Sequence, residues 1–133
     1  MGQLSLGTRR AVHSGGLPWS ETDFASNRAT IREAISTIIS RRVVPILVGG
    51  DDSIPIPMLA AMGDTGKKYT VLQLDAHIDW RDEHMGESMG LSSTMRRASE
   101  MGHIEKIIQI GARGIGSGHT SDFEDAWAWG VKF

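Results

Sequence analysis

The stretch from Val71 to Asp79 constrains the chain more than any other. An apolar V-L-Q-L run breaks abruptly into D-A-H-I-D, so a short buried strand is followed at once by Asp75, His77 and Asp79. Residues two apart in an extended chain share a side, and the spacing therefore predicts that these three side chains converge at the strand's C-terminal end. Carboxylates are rarely buried unless paired or coordinated. Oxygen ligands with one imidazole suit a divalent ion such as manganese or magnesium, with zinc and nickel as alternatives. The competing explanation is a solvated strand-end turn with an ordinary aspartate cap.

Around this stretch, apolar runs alternate with helical periodicity. Residues 1–21 carry turn-like glycines, Arg9, Arg10 and His13 without a sustained period, and are expected to form a loop leading into the fold. From Thr22 or Asp23 a helix is predicted, its stripe of Ile31, Ala34, Ile35, Ile38 and Ile39 facing a sheet. Val43–Val48 then reads as a second buried strand, with Pro45 limiting its pairing. Gly49, Gly50, Asp51, Asp52 and Ser53 follow as a tight turn with two acids at its mouth. Taken alone, G-G-D-D is a capped strand-to-helix loop. Beside a second acidic strand end it becomes a candidate ligand site, because parallel α/β sheets bind ligands beyond their strand C-termini.

Further on, Ile54–Met62 reads as a short helix with prolines in its first turn. The aperiodic segment from Trp80 to Ser92 reads as a loop able to wall a substrate, followed by a helix through Met101. Ile104–Ile110 is the next predicted strand. Its glycine-rich successor, G-A-R-G-I-G-S-G, contains Arg113 as a structural or anion-steadying residue. Thr120 or Ser121 caps a last helix ended by Gly130, and Val131–Phe133 resembles the start of another strand. His103 and His119 read as loop histidines. Strand and helix in alternation imply a parallel sheet with right-handed crossovers. Such a sheet needs both faces and edges covered, so the expectation is a portion of a larger α/β domain or a subunit needing a partner.

Composition narrows the functional classes. The 133 residues fit one modest domain, and a net charge of -2 with interspersed signs gives no basic face for nucleic acid. No cysteine is present, which removes disulfides, thiolate sites and cysteine nucleophiles, and leaves His and carboxylates as metal ligands. No segment reaches the roughly 18 to 20 apolar residues of a membrane span. A cytoplasmic protein without membrane or nucleic-acid partners is expected.

Gly49–Ser53 together with D-A-H-I-D at 75–79 resembles the ureohydrolase family of arginases, agmatinases and related guanidino-acid hydrolases. S-S-T-M-R-R-A-S-E-M-G and the I-G-A-R-G turn extend the likeness over about residues 22–133. The resemblance implies an arginase-like three-layer α/β sandwich around a parallel sheet, incomplete in this chain, with 22–133 as a partial domain. It also implies two manganese ions activating a hydroxide that attacks a guanidinium carbon, releasing urea and an amine. By position, Asp75 would bridge the ions, Asp79 would bind one and His77 the other.

Asp52 stands where the family's G-G-D-H-S motif has a histidine, and is expected to act as an oxygen ligand. Leu91 occupies the place of a proton-shuttling histidine, for which His84 in the same loop is the candidate substitute, against the alternative of an ordinary exposed loop histidine. The family's later S-x-D-x-D-x-x-D-P segment, with two more aspartate ligands, has no counterpart here. One copy of the chain is therefore not expected to hold a complete two-metal site. The expected partners are a small guanidino substrate and further copies in a trimer or hexamer. The rival expectations are a truncated, catalytically silent metal-binding or assembly subunit, and a carboxylate metallohydrolase acting on another C–N bond.

Overall fold

The computed structural model describes residues 12–13, 15–113, 116 and 118–133. Much of the predicted lead over 1–21, and Gly114, Ile115 and Ser117 of the glycine-rich turn, lie outside the described residues. Helix α1 spans Phe24–Ser40 and begins where Asp23 accepts a hydrogen bond from the Ser26 N–H at 2.9 Å. Asn27 fastens the preceding turn, donating to the Ser20 carbonyl at 2.7 Å and accepting from its N–H at 2.8 Å. Helix α2, Pro55–Met62, takes its prolines in the first turn, where the missing N–H groups have no helical partner anyway.

Strand β1 is Tyr69–Leu74 and β2 is Ile104–Ile110, paired in parallel with Val71 opposite Ile107 and Gln73 opposite Gln109. Between them a 3-10 turn at Leu91–Ser93 leads into α3, Thr94–Ser99. Helix α4, Thr120–Trp129, follows β2 and is capped one residue earlier than expected, by His119, whose N–H donates to Asp122 Oδ2 at 2.7 Å. Gly130, at φ +109°, ends it as the sequence predicts. Val131–Phe133 then returns to the sheet. Lys132 bridges Ile108 in parallel, and its carbonyl accepts the Gln109 N–H at 2.7 Å.

One face of the sheet carries the core. Ile107 of β2, Met95 and Ala98 of α3 and Ala126 of α4 are buried together with Ile78 and Trp80. Leu59 of α2 packs on the same cluster, so α2, α3 and α4 form one helical layer. The opposite face is bare among the described residues, with Leu72, Leu74 and Ile110 exposed.

Two expectations are corrected. Val43–Val48 is not a paired strand: no ladder forms there, and Val44, Ile46 and Val48 are 74%, 79% and 88% exposed. An extended run needs a neighbouring backbone, none of the described residues supplies one, and Pro45 lacks a donor. The stripe of α1 does not face the sheet either. It packs chiefly on α2, with Ile35 buried, so α1 forms an outer shell over the helical layer.

Ile107 is fully buried at the centre of the cluster. Ile107→Ala should lower unfolding free energy by about 2–5 kcal/mol, because the methylenes lose their contacts and leave a cavity. Urea denaturation checks this: the midpoint falls with little change in slope, whereas an unchanged midpoint would show that the sheet's covered face contributes little.

Candidate metal centre

Two loops, one over residues 49–54 ahead of α2 and one over residues 75–79 beyond β1, bring the acidic residues together. In the first, Asp51 organises the turn rather than facing the cluster: its Oδ1 accepts from the Ser53 N–H at 2.9 Å and from the Ser53 hydroxyl. Asp52 is left half-buried, and its carbonyl is tied to the start of α3 by the Thr94 hydroxyl.

Asp75 follows β1 directly. Its N–H donates to the Ile110 carbonyl at 3.1 Å, and its Oδ1 accepts the His77 N–H at 2.7 Å. Gly111 lies against it at φ +99°, where a Cβ would sit 3.1 Å from the Asp75 carbonyl oxygen. Only glycine combines that backbone angle with that approach. Arg113 continues the stitching between the strand ends, its N–H donating to the Ala76 carbonyl at 2.8 Å and its guanidinium to the Gly111 carbonyl.

Asp79 is buried, with backbone in the left-handed region at φ +47°. An aspartate tolerates this better than most residues. Its carbonyl accepts the Met95 and Arg96 N–H groups at 3.0 and 3.1 Å, at the start of α3. Its Oδ2 accepts Gln73 Nε2 at 2.6 Å. Convergence is therefore achieved differently from the strand alternation the sequence suggests. The strand stops at Leu74, and the loop is turned by burying Ile78 and Trp80 on either side of Asp79.

Asp52, Asp75 and Asp79 each offer a carboxylate oxygen, and these oxygens lie within 4.8 Å of one another. Among the described residues no lysine or arginine pairs with any of them. Burial pushes the Asp52 carboxyl up to about 7, reinforced by a hydrogen bond to Asp79 and by the charges of Asp79, Asp75 and Asp51. Burial also raises Asp79, opposed by its hydrogen bonds with Asp52 and Gln73. Both shifts favour retention of a proton within the Asp52–Asp79 pair. Asp52 Oδ2 is buried and receives no hydrogen bond among the described residues. Clustered anionic oxygens with one uncommitted buried atom fit a hard divalent cation, manganese or magnesium, better than a soft one.

The histidines are placed differently. His77 stands outside the three-carboxylate cluster, its side chain 61% exposed and its Nδ1 3.3 Å from Asp75 Oδ1. His84 opens a two-residue hairpin. Its N–H and carbonyl pair with Glu87 across Met85 and Gly86, at φ 55° and 81°, the positive angles of a tight hairpin turn. Its Nδ1 lies 3.0 Å from the Arg81 guanidinium. His84, Leu91, Asp51 and Trp19 line a cavity of about 320 Å³ between α1 and this loop; the clustered carboxylates are not in its wall. Sequence reading missed Gln73 and Gln109, although each stands between two apolar residues near the end of its strand.

The sequence model of the arginase family matches residues 4–133. The human mitochondrial guanidino acid hydrolase is 34% identical over 86 residues, covering 63% of this chain and 24% of that protein. The mitochondrial agmatinase of Gallus gallus is 31% identical over 104 residues, covering 77% and 30%. Among solved structures, arginase from Medicago truncatula superposes with a TM-score of 0.75 at 26% identity, over 84% of this chain and 35% of that one. The chain thus spans about a quarter to a third of the length of these relatives. With a family match over nearly its whole length and an arginase-like fold, the chain belongs to the arginase family.

Proposed function

We propose that this chain supplies part of the catalytic centre of a metal-dependent hydrolase that cleaves a guanidino compound into urea and an amine, in the manner of agmatinase. The observation that carries the reading is the convergence of three carboxylates, two of them raised by burial and none paired with a lysine or arginine among the described residues. Asp52, Asp75 and Asp79 would hold manganese, with His77 as a further ligand at the exposed side of Asp75. Divalent cations in such a centre supply charge stabilisation and a nucleophile at neutral pH. The chain's own residues orient and charge the site. The Gln73 amide donates to Asp79 and favours its ionised form against the effect of burial, and the carboxylates attract a planar guanidinium cation.

The departing amine needs a proton, and His84 is the chain's candidate to carry it. With Arg81 donating to Nδ1, its Nε2 is the proton-bearing nitrogen. The bare sheet face of Leu72, Leu74 and Ile110 supports assembly with further protein, as in a trimer or hexamer of complete domains. Residues 22–133 would act as a partial domain behind a 1–21 lead. No helix among the described residues is long and apolar enough to cross a membrane.

A catalytically silent metal-binding or assembly subunit is the second reading. It is favoured by the position of His77 outside the three-carboxylate cluster. Urea release from agmatine, arginine, guanidinobutyrate, guanidinopropionate and guanidine, on manganese-reconstituted protein, separates the two. Manganese-dependent urea from one of these is the expected result. Bound metal without urea from any would leave the silent subunit as the correct description.

A further inference from the structure

β1 and β2 each carry one glutamine, flanked on both sides by apolar residues, and the parallel register sets the two side by side. Gln109, only 2% exposed, donates through Nε2 both to the Ile78 carbonyl at 2.8 Å and to Gln73 Oε1. Both partners are acceptors, so this amide has one workable orientation; turned over, it would set oxygen against oxygen. Gln73, its oxygen thus engaged, presents Nε2 to Asp79 Oδ2. Donors therefore run in one direction, from an amide anchored on the backbone of buried Ile78 to the carboxylate. Packing alone has no use for two amides here, since an apolar pair of similar shape would be nearly neutral in stability.

We propose that Gln73 and Gln109 are positioning residues of the carboxylate centre, their directed amide chain fixing the Asp79 carboxylate through Oδ2 in its place beside Asp52 and Asp75 for a divalent cation. The inference rests on the metal-centre reading above. An amide suits the task because it donates without charge. A lysine or arginine at residue 73 would neutralise the cluster in the cation's place, and a serine or threonine would fall short of Asp79. The left-handed backbone of Asp79 adds to the need, because a strained residue persists only where its surroundings over-determine it.

Manganese binding to the full 133-residue chain, followed by the EPR signal of free and bound Mn²⁺ alongside thermal melting, tests this. The wild-type chain should bind manganese, and Gln73→Leu should weaken binding by about 10- to 100-fold, the usual effect of removing an outer-shell partner. Gln109→Leu, which frees the Gln73 amide to turn, should weaken it less, and carries the test if Gln73→Leu does not fold. Gln73→His, which returns an N–H donor, should restore affinity to within a few-fold of wild type. Wild-type affinity in the leucine variants, or a loss that histidine does not recover, overturns the positioning role alone. A wild-type chain that binds no manganese overturns the metal-centre reading, and this inference with it.

Discussion

Asp75→Asn should remove most of the chain's divalent-metal binding, with manganese affinity falling by at least about 100-fold in a calorimetric titration. The substitution retains shape and leaves the backbone bond to Ile110 in place, so the strand end should not move. An asparagine oxygen can still accept the His77 N–H, which preserves the local turn. What disappears is a full negative charge among three carboxylate oxygens gathered within 4.8 Å. Neutral amide oxygen is a poorer ligand for a hard cation, and Asp52 and Asp79 alone offer too few donors to replace water around it. A variant that melts like wild type yet binds no manganese isolates charge as the cause. Undiminished affinity would mean that the cluster is an acidic turn and that any metal is held elsewhere.

The order of elements was legible in the sequence because local rules agree with the fold there. The apolar runs before Asp75 and Gly111 became β1 and β2, and Gly130 ended α4, since each depends on its immediate neighbours. Val43–Val48 failed as a strand for a non-local reason. Apolar composition predicts burial but cannot supply the backbone that a ladder requires. The stripe of α1 erred similarly: periodicity identifies which side of a helix is buried, not against what, and here the partner is α2. Of the candidate ligands, Asp52, Asp75 and Asp79 came together. Their convergence comes from the left-handed turn at Asp79 between two buried apolar side chains, which strand alternation does not anticipate. Gln73 and Gln109 were overlooked because a lone glutamine in a strand carries no motif; only their register reveals the pair.

Metal affinity should climb by up to about tenfold per pH unit below 7 and level off above it, because a cation must displace the proton that the cluster otherwise holds. Asp52 rises from its ordinary value of 3.8 to about 7 in the folded chain, so between those values the folded state binds more protons than the unfolded one. In metal-free protein this makes the native state most favoured at low pH, and stability drains away as pH rises through about 7 and the ionised carboxylates face one another. Asp79, raised in the same direction, adds to the trend. A bound divalent cation reverses it, since stabilisation by a ligand grows with affinity and affinity here grows with deprotonation. Melting temperatures with and without manganese should therefore diverge as pH rises from about 5 to 8. Titrations in two buffers of different ionisation heat should show proton release near pH 6 that vanishes near pH 8. Equal affinity at both ends of that range would mean that Asp52 is already ionised in the free protein and that no proton guards the centre.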